Sequence, residues 1–239
     1  DVTAANQSQL RLSIAEVNTD EVTFLSFDSE GHSVSNDYRF NFMLELTTVL
    51  DLTQVIGSAA YFDVRDNGER VYIHGLITEA IYLGPRADGE AYAISLSSML
   101  HPLKYNCQNR VYLNKHVKQI VQDVLEAAQF NNAEFEFKTQ QDYPIREFTV
   151  QYEESDYDFI QRLLAYEGIF FTIEQRFDGA KLVFYDNIAE VPAFKLGELT
   201  YETQSGQVRS LQTIYTLNRQ SQMYTDNVRL KDYNYRAPE

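Results

Sequence analysis

The sequence has little of what cross-links, kinks or anchors a chain: its 239 residues include one cysteine, no tryptophan, 10 glycines and 5 prolines. A single thiol, that of Cys107, excludes an internal disulfide and any metal site built from several thiolates. No apolar run approaches the roughly 20 residues that a membrane-spanning helix needs. These absences leave a fold stabilised by its apolar core.

Positive charge is also scarce. The chain has 35 acidic and 20 basic side chains, a formal charge of −15. A surface this negative repels phosphate backbones, which argues against a nucleic-acid partner. Hydrophobic residues make up 44% of the chain. That content excludes disorder as the main state, and a chain of this size buries roughly 70–75% of the surface that its unfolded form exposes.

The N-terminal segment does not have the pattern of an export signal. Residues 1–21 are polar, with Leu10, Leu12 and Ile14 scattered among them. A secretory signal needs a basic start and a continuous apolar core, and this segment has neither. We therefore expect synthesis in the cytoplasm without a signal peptide, and we interpret residues 1–19 as an N-terminal extension.

The first half of the chain predicts an antiparallel sheet. Residues 38–47 place apolar side chains at every second position, which is typical of a strand with one buried face. The abundance of tyrosine and phenylalanine, 17 and 15 residues, favours strands as well. Asn67 and Gly68 suit a tight hairpin turn, and Gly75 predicts a bulge. The other strands predicted here are 22–27, 60–65, 70–83 and 91–100.

The pattern changes near residue 112. Apolar residues at helical spacing predict an amphipathic helix over 115–129. Ser155 predicts the N-cap of a second helix, and Gly168 its C-terminal cap. The further strands predicted are 146–152, 169–175, 181–186, 208–217 and 227–235. The fold class is thus α+β and β-rich: residues 20–106 begin an antiparallel β-barrel, an α+β segment at 107–199 is inserted, and strands in 200–239 complete the barrel.

Candidate catalytic residues are few. Cys107 has His101 and His116 nearby in sequence, which raises a thiol–imidazole pair or a metal site. The run around Cys107 resembles a loop and no further ligands cluster there, so structural roles are the preferred interpretation. His74 falls inside a predicted strand, and His32 in an exposed loop.

Four carboxylates cluster at the start of the second helix: Glu153, Glu154, Asp156 and Asp158. Glycosidase chemistry needs two carboxyl groups facing each other across a cleft. The place of the four carboxylates at the positive end of a helix dipole explains their presence without glycosidase chemistry. Phosphate-binding glycine loops and the common hydrolase motifs are absent from the sequence. We assign no catalytic, cofactor-binding or metal-binding residue, and no cofactor.

Residues 146–171 are similar to the pattern R-x-x-x-Q-Y-x-E-S-D-x-x-F-I-x-R-L-x-x-x-E-G-I-x-Y, with one more residue between Arg146 and Gln151 and with Phe171 where tyrosine is common. This pattern resembles that of VgrG proteins, the spike proteins of bacterial type VI secretion systems, whose N-terminal half is similar to the tail hub of contractile phages. Residues 70–84, 110–125 and 231–238 resemble further stretches of the same family, with Tyr235 in a position where phenylalanine is common. The resemblance covers roughly residues 20–239.

The resemblance implies a structural, non-enzymatic role and the fold of a contractile phage tail hub. It implies a homotrimer in a longer parent protein, seated on the Hcp tube among baseplate proteins. A second barrel, an OB-like domain, a needle, a PAAR tip and effectors would belong to the regions that follow. The protein would leave the cell through the type VI apparatus, and the chain alone would be mostly monomeric.

Two alternatives stay open. A hub of a phage or phage-like contractile tail has the same physical requirements, and flanking genes would separate it from a secretion spike. A glycan-binding or hydrolase domain that uses the acidic cluster belongs to another class. It would show a cleft holding two facing carboxylates or turnover of glycans.

Overall fold

The computed structural model describes residues 10–14, 22–31, 33–66, 69–192, 200–201, 213–214, 219, 221, 223 and 225–229. The chain divides into two units, residues 1–191 and residues 192–239. The first unit contains all residues of the surfaces described below. Among the described residues, no helix is both long enough and apolar enough to cross a membrane.

Six antiparallel strands form the main sheet, in the order β1-β4-β5-β6-β3-β2. They are β1 (Leu10–Ile14), β2 (Val22–Glu30), β3 (Arg39–Leu46), β4 (Ala59–Asp66), β5 (Glu69–Pro85) and β6 (Glu90–Ser97), with a short helix α1 (Leu52–Val55) between β3 and β4. The sheet curls until its edge strands β1 and β2 come near each other, although no hydrogen-bonded ladder joins them among the described residues. This half-barrel confirms the predicted β-rich fold class with an antiparallel sheet.

Alternation along the strands builds the core inside the curl. Phe40, Phe42 and Leu44 are buried on the inner face of β3, as the two-residue period predicts. The rings of Phe42 and Phe62 pack with centroids 5.0 Å apart across the interior. A bulge in β2 between Phe24 and Ser26 turns Phe24 and Phe27 toward the same ring of Phe62 despite their odd spacing.

The prediction of a bulge at Gly75 is wrong. Gly75 pairs regularly with Ala60, and the irregularities of β5 fall between Ile77 and Glu79 and between Tyr82 and Gly84. A Cβ atom at position 75 would lie 2.2 Å from the carbonyl oxygen of Ser97. Close approach of backbone, rather than a bulge, therefore requires glycine there.

The α+β segment follows the sheet and has its own core. Its elements are β7 (Cys107–Lys115), α2 (Val117–Ala127), β8 (Phe135–Lys138), β9 (Arg146–Ser155), α3 (Asp156–Glu167), β10 (Phe170–Gln175) and β11 (Ala180–Tyr185), flanked by two 3-10 helices at His101–Lys104 and Ile188–Glu190. Strands β7 and β9 form a two-stranded antiparallel sheet, and β8 adds in parallel to the hairpin of β10 and β11. Helices α2 and α3 pack between these sheets and bury their apolar faces.

Helix boundaries follow the predicted caps closely. Ser155 accepts a hydrogen bond from the backbone N–H of Asp158 at 3.0 Å, and Gly168 ends α3 with φ of 70°. His116 caps α2 through a reciprocal pair of hydrogen bonds with Gln119. The cap shortens the predicted helix of 115–129 to Val117–Ala127.

Several elements of the structure differ from the predicted ones. Leu10–Ile14 lies within the predicted extension of residues 1–19 but forms the edge strand β1. Cys107 begins strand β7 instead of lying in a loop. Of the strand predicted at 208–217, the structure describes only Thr213–Ile214, paired in parallel with Thr200–Tyr201. The described part of 227–235, residues 227–229, is not a strand, and the rest lies outside the described residues.

Candidate assembly surface

The sheet of β7 and β9 has an inner face that belongs to the core of the α+β segment. Tyr112 and Thr149 are directly opposite each other and buried. The ring of Tyr112 stacks on that of Phe159 from α3, with centroids 5.6 Å apart. Phe159 has no exposed surface, so this contact ties the sheet firmly to the helix beneath it.

A polar cluster lies beside these rings. The carboxylate of Asp156 is fully buried and pairs with Arg110, with 3.1 Å between Oδ1 and Nη1. Gln151 donates to the same oxygen at 2.7 Å, and the side chain of Asn106 donates to Oδ2. A buried carboxylate is stable only when it is paired and hydrogen-bonded in this way. The cluster joins β7, β9 and the start of α3.

A bulge sets the register of this sheet. Gln108 pairs with Glu154 and Arg110 with Gln151, so Asn109 faces two residues of β9. Glu153 takes a positive φ of 48°, and its backbone N–H donates to the side chain of Asn109 at 2.8 Å. Because a shift of one residue exchanges the two faces of a strand, the bulge decides which side chains point outward.

The outer face of the sheet is apolar. Val111 lies directly opposite Val150, and Leu113 directly opposite Phe148. Their exposed fractions are 62%, 41%, 61% and 63% in that order. Monomeric soluble proteins rarely expose contiguous apolar patches larger than a few hundred Å², and larger patches mark interaction sites. We call Val111, Leu113, Phe148 and Val150 the apolar outer face.

The edges of this sheet are open too. Within the described part of the chain, β7 and β9 pair only with each other, so each has one edge without a partner strand, although Arg162 donates to the carbonyl oxygen of Val150. Unpaired edges are a ready template for another chain. Ile145 and Tyr152, which flank the apolar residues of β9, are also exposed. Face and edges together form a surface suited to protein–protein contact.

The candidate catalytic residues Cys107, His101 and His116 engage different partners. His101 places Nδ1 2.9 Å from Oδ2 of the buried Asp37, which Lys104 also contacts at 2.8 Å. His116 caps α2, and Cys107 is exposed at the start of β7. The structure describes no hydrogen bond among the three. In the described ranges, no group of three or more histidine, cysteine or carboxylate side chains could hold a metal ion.

The remaining histidines were predicted to lie in a strand and in a loop. His74 lies in β5, and its Nε2 is 2.9 Å from the carbonyl oxygen of Arg176. Its backbone N–H donates to Oε1 of Gln175 at 2.9 Å, so His74 anchors the β10–β11 hairpin to the main sheet. His32 lies outside the described residues.

Glu154, Asp156 and Asp158, three of the four clustered carboxylates, have separate structural contacts. Asp158 accepts a hydrogen bond from the Ser155 hydroxyl at 2.7 Å, and Glu154 pairs with Arg162. The hydrogen bond to Glu154 raises the pKa of the Arg162 guanidinium. Asp158 is a first-turn residue of α3, as the dipole argument predicted. Asp156 has a second role beside its favourable interaction with the helix dipole. It is buried at the centre of the polar cluster described above.

A cavity of about 700 Å³ lies between the main sheet and the α+β segment. Its size is in the range of small-molecule sites. Its polar lining is largely engaged: Lys181 donates to Glu136 at 2.8 Å, and Glu134 accepts from the backbone of Asn131. The hydrogen bond from Lys181 lowers the pKa of the Glu136 carboxyl. We assign the cavity no catalytic role.

Comparison with known proteins adds family information to this geometry. Residues 35–239 match the family described as phage tail baseplate hub (GPD). The chain is 32% identical over 245 residues to the type VI secretion system spike protein VgrG4b of Pseudomonas aeruginosa, covering 98% of the chain and 28% of that protein. It is 28% identical over 207 residues to the actin cross-linking toxin VgrG1 of Vibrio cholerae, covering 84% and 18%. The chain thus spans between 18% and 28% of the length of these relatives.

Solved structures give the same fold. An Escherichia coli protein, described as a component of the type VI secretion system with structural similarity to bacteriophage tail proteins, superposes with a TM-score of 0.70 at 24% identity over 82% of this chain and 53% of that one. A tail protein of Neisseria meningitidis gives a TM-score of 0.53 at 12% identity over 84% and 56%. The matches confirm the resemblance that the motif at residues 146–171 indicated.

Proposed function

This chain belongs to the phage tail baseplate hub family, and from that membership we propose that it forms the hub of a type VI secretion spike. Its similarity to the spike protein VgrG4b over 98% of its length supports this role over that of a phage hub. The phage or phage-like tail remains the second candidate, because the family model is named for a phage component. Neighbouring Hcp and sheath genes would support the first, and tail and lysis genes the second.

The proposed assembly is a homotrimer of a longer subunit that sits on the Hcp tube within the baseplate and helps to deliver effectors. Residues 20–106 and 200–239 would contribute the barrel, residues 107–199 the inserted segment, and residues 1–19 an extension. Regions that follow would carry the PAAR tip and effectors. The protein would be made in the cytoplasm and leave through the type VI apparatus.

The apolar outer face of β7 and β9 is the observation that carries the proposal. Its side chains are exposed in the isolated chain although each is as apolar as a core residue. Covering such a face stabilises an assembly by roughly 25 cal/mol for each Å² removed from water. Obligate interfaces commonly bury more than roughly 2,000 Å² and are rich in apolar contacts.

We propose a structural role for this region and no catalysis. Cys107, His101 and His116 have separate contacts and no common site among the described residues. Glu154, Asp156 and Asp158 are likewise held in separate contacts instead of facing each other across a cleft. The toxin activity in the name of the Vibrio cholerae relative belongs to that protein, of which this chain spans 18%. The glycosidase alternative therefore finds no support in the geometry.

The test of assembly places a charge on the apolar outer face. Phe148→Asp in the spike gene should abolish secretion of the tube protein, because a buried interface cannot accommodate an unpaired carboxylate. Ile188→Asp is the matched control, since Ile188 is 70% exposed and lies outside the apolar outer face. Circular dichroism should show both variants folded. Secretion that survives Phe148→Asp at the level of the control would contradict the proposal.

A second variant tests the absence of catalysis. Cys107→Ser, His101→Gln and His116→Asn, combined, remove any thiol or imidazole chemistry. The substitutes preserve a donor toward Asp37 and a good helix cap. We expect secretion of the tube protein to be unchanged. Loss of secretion by a variant that still folds and assembles would overturn the purely structural interpretation.

A further inference from the structure

A second surface lies on the outer side of the main sheet, where β1, β4 and β5 run side by side. It forms a cleft of about 300 Å³. We call it the aromatic cleft, and its lining residues are Arg11, Tyr61, Asp63, Arg70, Tyr72 and Phe177. Its volume is at the small end of the range for ligand sites and suits one ring.

Strand register explains how the sheet contributes to the cleft. Arg11 of β1 lies directly opposite Asp63 of β4, which lies directly opposite Tyr72 of β5. Tyr61 is two residues from Asp63 and therefore points to the same side of the sheet. This side is opposite to the one that buries Phe62 and Leu12 in the core. Regular strand pairing thus fixes the part of the cleft that the sheet contributes.

Phe177 comes from a distant part of the chain and closes one side. Its ring meets that of Tyr72 at 5.3 Å and 88°, and Tyr72 lies 5.9 Å from Tyr61. Phe177 is 78% exposed, although phenylalanine is among the residue types most often buried. The two rings form a corner with apolar walls.

Hydrogen bonds fix the turn that carries Phe177. His74 contacts the residues on its N-terminal side, Gln175 and Arg176, at 2.9 Å each. The side chain of Gln175 also donates to the hydroxyl of Tyr38 at 2.8 Å. Burial raises the pKa of Tyr38 and outweighs the opposite effect of the hydrogen bond from Gln175, so the hydroxyl stays protonated. The corner is preorganised, which lowers the entropic cost of binding a ligand there.

The charges of the cleft favour an anion. Asp63 is buried and pairs with Arg70, which neutralises both. Arg11 is exposed and has no ion-pair partner among the residues that the structure describes. The hydroxyls of Tyr61 and Tyr72 likewise have no hydrogen-bond partner within the described part of the chain. An unpaired guanidinium beside two phenols offers several donors to a carboxylate, in a chain whose net charge is −15.

We propose that the aromatic cleft binds a carboxylate carried on a single six-membered ring. The Arg11 guanidinium pairs with the carboxylate, and the ring packs in the corner between Tyr72 and Phe177. An aromatic acid and a sugar acid share this chemistry. The proposal goes beyond the assembly role and does not depend on it, because the cleft and the apolar outer face have no residue in common.

The test titrates the chain with benzoate and with glucuronate, and with the neutral analogues benzamide and glucose. Saturation-transfer NMR and calorimetry should detect binding of at least one acid in about the millimolar range, as expected for a ligand of this size. Neither neutral analogue should bind comparably. Benzoate alone would assign an aromatic acid, and glucuronate alone a sugar acid.

Variants locate the site. Arg11→Gln should weaken binding about tenfold or more through loss of the charged pair, and Phe177→Ala should weaken it as well. Arg86→Gln, at an exposed arginine in a turn away from the cleft, should leave binding unchanged. Three results would overturn the proposal: no binding of either acid at about 10 mM, equal binding of the neutral analogues, or full binding by Arg11→Gln.

Discussion

On the outer face of the six-stranded sheet, Arg39, Asn41 and Ser95 bond to one another and to the carboxylates of Glu79 and Asp28. The outer face of the sheet of β7 and β9 instead holds aliphatic and aromatic side chains. Both sheets bury their inner faces in a core. The polar side chains of the first outer face bond to one another, whereas the second outer face exposes apolar side chains to water.

The main sheet is not free of exposed apolar residues. Leu25, Met43 and Ile81 lie beside its polar row and are exposed to a smaller degree than Leu113 or Phe148. What distinguishes the two-stranded sheet is the absence of any polar row between its apolar pairs. The difference supports the proposal that this sheet has one face for stability and one for assembly, and the following substitutions test that division.

The largest expected effect is on the inner side. Phe159→Ala should lower the free energy of unfolding by about 3–5 kcal/mol, because it empties a fully buried site and removes the stack on Tyr112. Phe148→Ala on the outer face should change the free energy of unfolding by less than about 0.5 kcal/mol. Urea denaturation measures both. Equal losses for the two variants would remove the distinction between the faces.

The second largest loss of stability should follow from disrupting the polar cluster around Asp156. Asp156→Ala leaves Arg110 and Gln151 without their buried acceptor, which should cost about 3 kcal/mol. Asp28→Ala is the matched control, since Asp28 accepts from Asn41 on an exposed surface and should cost well under about 1 kcal/mol. A cost for Asp156→Ala no greater than that of the control would show that the cluster does not hold β7, β9 and α3 together.

The helix cap should have a smaller effect. Ser155→Ala removes the hydrogen bond to the first turn of α3 and should cost about 1 kcal/mol. Ser155→Thr retains a capping hydroxyl and should therefore keep most of the stability that Ser155→Ala loses. If both variants lost the same stability in thermal unfolding, packing at position 155 and not the cap would be responsible.

Stability should also depend on pH through Asp186. Burial opposes its charge, but hydrogen bonds from the backbone of Gln140 and Gln141 and from the Tyr143 hydroxyl outweigh it and hold the pKa of the Asp186 carboxyl below its usual value. A lowered folded-state pKa contributes stability above the unfolded value of about 4, and this contribution is lost as the pH falls through the folded-state value.

Asp186→Asn should therefore lower stability by about 1 kcal/mol at neutral pH, the low end for a charged hydrogen bond on a partly exposed group. The difference from the unmodified chain should narrow below about pH 4. Urea denaturation across the pH range measures it, with Asp28→Asn as the surface control. A difference that stays constant with pH would exclude the ionised carboxylate as its cause.

Local signals in the sequence predicted much of the fold. The cap at Ser155, the left-handed Gly168 and the alternation in β3 each depend on neighbouring residues, and the structure has all three. Strand β1 was within reach, since Leu12 and Ile14 are two residues apart and both buried. Only the polar residues around them concealed the pattern.

The candidate surfaces could not be predicted in the same way. Alternation identifies two faces of a strand but not which one is covered, and in β7 the buried face contributes Tyr112 while the exposed one carries Val111 and Leu113. The corner between Tyr72 and Phe177 joins residues that are distant in sequence. The buried state of Asp156 depends on Arg110 from another strand, which no local pattern reveals.

The central claim, that the outer face of β7 and β9 is covered on assembly, can be measured with a thiol probe. Cys107 is the chain's single cysteine, so Cys107→Ser provides a background in which Phe148→Cys or Ile188→Cys adds one reactive thiol. In the isolated chain both thiols should react with a maleimide at similar rates, because both positions are exposed. In assembled spikes, the thiol at position 148 should be protected and that at 188 should stay reactive. Equal labelling of the two positions in the assembled spike would contradict the account.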